Sequence, residues 1–180
     1  MCVANFSDYL RFSLLARYGG LWLDATIFCS QKLPEEFFRM PVFTCRGRTG
    51  SGQYFSDYQW TAFCFGGHQG NVMFRFLQAA FDAYWKRHPV SIDYLLVDYL
   101  IKLVQNQNEK VGALMGAVPE NNLCRDDLQA AMNAALPATE ISKIIQQDTV
   151  LYKLSWREKY ETLTPNGEES VYGVFLRGLV

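Results

Sequence analysis

The chain has 180 residues, of which 49% are hydrophobic, 15% aromatic and 19% charged. Its 18 acidic and 17 basic residues leave a formal net charge of -1, which argues against the basic excess or stripe of a nucleic-acid-binding domain. The apolar content excludes a disordered chain, and the absence of a run of about 18 apolar residues excludes a helical membrane span.

A chain of this size buries roughly 70% of its unfolded surface, so one globular domain over residues 1–180 is expected. The start, MCVANFSDYLRF, lacks the basic n-region and apolar stretch of a signal peptide.

In chain order, the first predicted element is a helix over Asp8 to Tyr18. Ser7 is its expected N-cap, with Asp8 in the first turn, where the helix dipole favours a carboxylate. Leu10, Leu14 and Leu15 supply its apolar stripe, edged by Phe12. Gly19 and Gly20 end it, because glycine tolerates the left-handed conformation of a helix C-terminus. LWLDATIF, residues 21 to 28, is short, apolar and bounded by glycine and polar residues, which predicts a buried strand. Helix, Gly-Gly turn and buried strand together indicate an α/β layer structure.

Residues 46 to 59 are glycine-rich and polar and read as a loop, and residues 60 to 66 as another strand. Met73, Phe76, Leu77, Ala80, Phe81 and Tyr84 share helical spacing, predicting a helix over Val72 to Arg87 that Pro89 stops. Further helices are expected over Asp93 to Val104, capped by Ser91, over Arg125 to Leu136, stopped by Pro137, and over Glu140 to Gln146. A strand is expected over Val150 to Leu154. The final ESVYGVFLRGLV fits a strand or a helix equally.

The five cysteines, Cys2, Cys29, Cys45, Cys64 and Cys124, are widely spaced and form no C-x-x-C pair, which argues against a zinc ribbon or thioredoxin-type site. Three lie in apolar runs (Cys29, Cys45 and Cys64) and are expected to be buried reduced thiols, in keeping with a cytosolic compartment. With only His68 and His88 available, a bound metal would rely on oxygen ligands, as Mg²⁺ or Mn²⁺ does.

The chemistry concentrates in Ser7 to Phe28. Asp8 and Arg11 are three apart on one helix and share a face. Asp24 and Thr26 alternate along the predicted strand and project to one side, near the end where ligands bind in open α/β sheets. Two carboxylates, a guanidinium and a hydroxyl that converge would suit a sugar with a metal-bound phosphate ester. The plain alternative is a helix-start charge, an i,i+3 surface pair and a strand-end turn former. A carboxylate inside LWLDATIF weighs against it, because burying one unpaired is costly. A phosphatase of the haloacid-dehalogenase type would need an acid/base aspartate at position 26, where this chain has Thr26.

Elsewhere, Asp98 sits among Leu96, Val97, Tyr99 and Leu100 and is a candidate acceptor-orienting or basic group. Asp93 reads as a helix-start carboxylate and His68 as a loop or capping residue. Tyr54 and Trp60 are candidates for stacking on a sugar, with core packing the plainer reading of Trp60. Arg46 and Arg48 could meet a diphosphate, although their loop lacks a P-loop pattern and solvent exposure is the plainer reading.

S-D-x-x-R, an apolar helix, Y-G-G and then apolar-W-L-D-x-T resemble the sugar-binding region of DXD-type glycosyltransferases. Within these the chain looks most like the capsular polysaccharide synthesis proteins. It is similar, more distantly, to initiating mannosyltransferases and the large clostridial glucosylating toxins. The late segment TVLYKLSWRE also looks like part of that family.

The resemblance implies a GT-A-like fold, a nucleotide-sugar donor and a polysaccharide or lipid-linked glycan acceptor. Carried over by position, Asp8 and Arg11 would contact donor sugar hydroxyls. Gly20 and Trp22 would line the donor site, and Asp24 would serve ribose, sugar or metal. Asp24 is also a catalytic candidate, as is Asp98 from its own apolar setting, and Mn²⁺ or Mg²⁺ would fall to Asp24 and Thr26. Thr26 departs from the pattern, since a neutral hydroxyl stands where an aspartate ligates the metal. An inactive or partner-dependent sugar-nucleotide-binding module is the alternative.

In this family the S-D-x-x-R helix follows a longer N-terminal part, so the chain is expected to lack the first βαβ units. A sheet edge would then be exposed or covered by a partner chain, a second copy included. A cytoplasmic location, or the inner face of the membrane through a lipid-linked acceptor, completes the expectation.

Overall fold

The computed structural model describes residues 3–50, 52–146 and 148–178. Its elements run, in chain order, α1 (Val3–Tyr18), β1 (Gly20–Leu23), β2 (Ile27–Cys29), α2 (Glu36–Arg39), β3 (Val42–Thr44), β4 (Cys64–Gly67), α3 (Val72–Trp85), α4 (Leu96–Gln107), α5 (Glu109–Gly116), α6 (Asp127–Ala131), α7 (Ala138–Ile144), β5 (Leu151–Lys153) and α8 (Val171–Leu176). The chain is mixed α/β, and both of its small sheets are antiparallel. They separate into two compact units, residues 1–24 with 34–120, and residues 25–33 with 121–180.

In the first unit β4 is the central strand of the order β1-β4-β3 and is buried along its whole length. Gly20 pairs with Gly67 and Leu23 with Cys64, and one further bond, from Asp24 N to Phe63 O at 3.0 Å, carries the ladder to Asp24. Helices α1 and α3 lay their apolar stripes together against the sheet. Phe12 and Leu15 from α1 meet Phe74, Leu77 and Phe81 from α3, with Phe65 of β4 beneath them. The Phe12 ring stands 5.5 Å from Phe65 and 6.2 Å from Phe74.

Gly19 closes α1 with φ +66°, its N–H bonded to Leu15 O at 2.9 Å. A Cβ there would stand 2.5 Å from Gln69 N and 2.8 Å from Gly67 O, so both the dihedral and the space demand glycine.

The second unit is built on the β2–β5 ribbon, with Ile27 opposite Lys153 and Cys29 opposite Leu151. Leu128, Met132, Ile141, Tyr152 and Val171 form its core, and Phe28 packs onto it. Ser170 caps α8 by accepting from Gly173 N at 3.1 Å, so the undecided C-terminal segment is helical over Val171–Leu176.

Several expectations need correcting. α1 begins five residues before Asp8, at Val3, because nothing in V-A-N-F breaks a helix; Ser7 is therefore inside it and caps nothing. The expected strand over 21 to 28 is two strands. β1 ends at Leu23, residues 25 and 26 turn, and β2 enters the other sheet. Neither strand is fully buried, and Asp24 and Thr26 do not alternate along one strand.

α4 starts at Leu96 rather than Asp93, after a turn in which Asp93 Oδ1 accepts from Leu95 N at 2.8 Å. Ser91 bonds the Asp93 carbonyl instead of capping the helix. The helix expected over 125 to 136 is only Asp127–Ala131. Cys45 and Cys64 are buried thiols as expected, but Cys29 is exposed, and Cys2 lies outside the described residues.

Candidate functional site

Arg11 is the centre of the candidate site in the first unit. Its position on the inner face of α1 leaves the side chain only 3% exposed. One guanidinium nitrogen donates to Asp8 Oδ1 at 3.0 Å, one helical turn back, and the other to Asp24 Oδ1 at 2.9 Å, just past the end of β1. The fork geometry of arginine suits two separate carboxylates in one plane. The Gly19-Gly20 turn brings β1 back along α1, so residues thirteen apart in sequence meet. Arg11 Nε is buried with no hydrogen-bond partner among the described residues.

Trp22 completes the arrangement. Its indole N–H donates to the same Asp24 Oδ1 at 2.9 Å, and its ring stacks 5.4 Å from the Arg11 guanidinium. Asp98 enters from the first turn of α4 and accepts the Trp60 indole N–H at 2.7 Å. Asp98 lies near enough to act through charge on both Asp8 and Arg11.

Electrostatics follow from burial. Asp8 is raised from 3.8 to about 6, mainly by burial, with Asp24 and Asp98 adding to the rise and Arg11 opposing it. The attraction of the 3.0 Å ion pair is thus smaller than the cost of removing the carboxylate from water. Asp98 is also raised, again mainly by burial, while the Trp60 bond and Arg11 oppose the rise. Three carboxylates face one guanidinium, a balance that accepts hydroxyl donors readily and repels phosphate oxygens.

Thr26 belongs to the second unit. Its hydroxyl oxygen accepts from Lys153 Nζ at 2.6 Å, and the same ammonium reaches the Leu154 carbonyl at 2.6 Å. The main chain secures the contact, with Leu154 N donating to Thr26 O at 2.9 Å. Among the described residues no group of three or more His, Cys, Asp or Glu could hold a metal ion. Asp24 Oδ1 already takes a guanidinium and an indole donor, and Thr26 already carries an ammonium. This donor set does not fit a divalent cation held by Asp24 and Thr26.

Gly20 opens β1 at φ +88°, exposed and with open space around its α-carbon. Trp60 is 1% exposed and packs in the core, as its plainer reading has it, while serving Asp98 through its N–H. Sequence reasoning missed that bond, although a buried indole needs an acceptor.

Tyr54 is exposed, its ring edge-on to Tyr58 at 5.0 Å. Arg46 does not extend into solvent toward a diphosphate. It donates to the carbonyls of Met115, Gly116 and Val118, closing the end of α5. His68 bonds the Arg39 carbonyl and plays the loop role expected of it.

The site is thus a cluster of partly buried carboxylates about a buried arginine, carried by α1, the end of β1 and α4 of a mixed α/β chain. Residues 1–174 match the family of capsular polysaccharide synthesis proteins, and the chain belongs to it. No curated protein and no solved structure matches the chain significantly. Among the described residues no helix is long and apolar enough to cross a membrane. A role in capsular polysaccharide synthesis follows from the family.

Proposed function

We propose that the chain is a glycosyltransferase that moves a sugar from a nucleotide-diphosphate donor to a polysaccharide or lipid-linked glycan acceptor. The observation that carries this reading is Arg11, buried and bridging Asp8 and Asp24 from two elements. Packing alone would favour an apolar residue there, because buried ion pairs are often matched or bettered by apolar ones of similar size. Fixed carboxylates around a fixed guanidinium are instead suited to orienting the hydroxyls of one sugar.

In the transfer, the anomeric carbon–oxygen bond to the diphosphate breaks, an acceptor oxygen bonds that carbon, and the acceptor hydroxyl loses its proton. Asp8, Arg11 and Asp24 hold the donor sugar, with Gly20 and Trp22 beside them. Asp98 takes the acceptor proton, and its raised proton affinity favours that task. This reading includes a GT-A-like fold, with residues 1–180 as one functional domain.

The test is release of free sugar and transfer to glycan acceptors from a panel of UDP- and GDP-sugars, with wild type beside Asp24→Asn and Asp98→Asn. Turnover with at least one donor is expected, reduced about a hundredfold or more by either substitution. Donor binding without turnover in any combination would sink the enzyme reading and leave a sugar-nucleotide-binding module. That alternative is favoured by Thr26, which offers a hydroxyl where the family pattern implies a carboxylate.

A further inference from the structure

The link between α3 and α4, residues 86 to 94 with the sequence KRHPVSIDY, takes no part in the charge cluster. Val90, Ile92 and Tyr94 are 71%, 77% and 70% exposed. Three such side chains in one short link forgo burial, and clustered exposure of this kind marks a surface that meets something else. The link is tied down by its main chain. Tyr84, from the last turn of α3, donates its hydroxyl to Val90 O at 3.1 Å and accepts from Ile92 N at 2.6 Å. Ser91, between them, is half-buried and bonds the Asp93 carbonyl. The backbone is thus fixed while the apolar side chains are held in solvent.

Charge identifies what covers them. Lys86 and Arg87 are exposed at the start of the same link, and neither side chain makes an ion pair among the described residues. The one carboxylate of the link, Asp93, is engaged at the start of α4, where it accepts from Leu95 N at 2.8 Å and bonds the Tyr99 hydroxyl. Apolar side chains beside unpaired cations match the interface of an anionic bilayer, where the former enter the acyl boundary and the latter meet lipid phosphates. A specific protein partner would ordinarily need about 20 to 30 residues a side, far more than this link supplies.

We infer that residues 86 to 94 are a membrane-surface contact, with Val90, Ile92 and Tyr94 entering the headgroup region of an anionic bilayer while Lys86 and Arg87 pair with lipid phosphates. The surface lies wholly within the first unit. The inference stands without the nucleotide-sugar reading. Where that reading holds, the link runs straight into the first turn of α4, which carries Asp98, so contact would bring that end of the helix to a lipid-linked acceptor.

The test is flotation of the full chain with vesicles of phosphatidylcholine alone and with about 30% phosphatidylglycerol added. Binding to the anionic vesicles is expected, about tenfold or more stronger than to neutral ones, and weakened several-fold between about 0.1 and 0.5 M salt. Val90→Ser/Ile92→Ser and Lys86→Gln/Arg87→Gln should each weaken it about tenfold or more. Their melting temperatures should match wild type, because all four side chains are exposed. Trp156→Ser, which removes an equally exposed aromatic from the second unit, should float as wild type does.

Absence of flotation, equal binding to neutral and anionic vesicles, or binding that either double variant keeps overturns the inference. An equal loss in Trp156→Ser overturns it too, by showing that any exposed aromatic serves. A dimer in sedimentation velocity that Val90→Ser/Ile92→Ser dissociates, with no flotation, would assign the face to a second copy of the chain instead. Flotation without sugar turnover would count against the glycosyltransferase reading alone.

Discussion

Arg11 holds a full positive charge at a place water scarcely reaches, and two carboxylates depend on it. Replacing it with methionine would keep much of the packing but leave Asp8 and Asp24 without their shared donor. Such a loss costs about 3 kcal/mol or more, and urea denaturation of Arg11→Met against wild type should show it. Arg11→Lys should recover little, because a point charge cannot bridge two carboxylates and stack on Trp22 at once. Equal stability of the lysine variant and wild type would refute the bridging role.

Asp8 makes a second, independent prediction. Its carboxyl titrates near 6 when folded, against 3.8 ordinarily. Below pH 4 it is protonated in both states, and between about 4 and 6 the folded state holds the extra proton. Stability from this group is therefore full at low pH and lost as pH rises through 6, by about 3 kcal/mol. Asp8→Asn cannot titrate, so its stability relative to wild type should rise across that window and level off above it. Parallel pH profiles for the two proteins would refute it.

Elements tell a different story, because local pattern and tertiary demand disagree at the centre of the motif. Asp8, Arg11 and Asp24 were legible as a converging set from S-D-x-x-R, Gly-Gly and W-L-D. The place where the motif ends was not, since the chain turns after Asp24 instead of continuing as one strand. An apolar run of this kind reads as one element, and only the partners of each half show that it is two. β1 pairs with β4, and β2 with β5, over a hundred residues further on.

The same limit hid α2, β3 and α5. The first two span four and three residues, too few for a period to show. α5 carries Gly112 in its interior and shares Asn108 with α4, which ends at that residue while its side chain accepts from Val111 N. α3 was legible within two residues because its apolar stripe runs four turns and Asn71 caps it.

The Gly-Gly stop was legible as well, and it can be tested. Gly19→Ala must adopt φ +66° and place its methyl 2.5 Å from Gln69 N, a cost of roughly 2 kcal/mol or more. Gly70, at φ +71° with open space around it, isolates the dihedral, and Gly70→Ala should cost only about 1 kcal/mol. Comparable losses for the two in urea titrations would show that close approach to the His68–Gln69 backbone does not matter.

For the molecule as a whole, the decisive feature is how the chain divides between its two cores. The second unit takes residues 25–33 from between the two parts of the first. That short stretch supplies β2, the partner of β5, and Phe28, whose ring meets Phe175 at 5.0 Å and Tyr152 at 6.5 Å. A fragment of residues 121–180 would therefore keep Leu128, Met132, Ile141, Tyr152 and Val171 but lose a strand and an aromatic side of its core. A lone three-residue β5 with an open edge has no partner to satisfy its ladder.

The fragment should accordingly show no cooperative thermal transition by circular dichroism, whereas the full chain should. Joining residues 25–33 to its N-terminus through a flexible linker should restore a transition, because the missing strand is then supplied at high effective concentration. A sharp transition for the fragment alone would mean that the second core does not need β2. Family membership spans both units, so the sequence pattern that defines the family includes the crossing from Asp24 to Ala25. That crossing leaves Asp24 in one unit and Thr26 in the other, so neighbouring residues of the motif serve different cores.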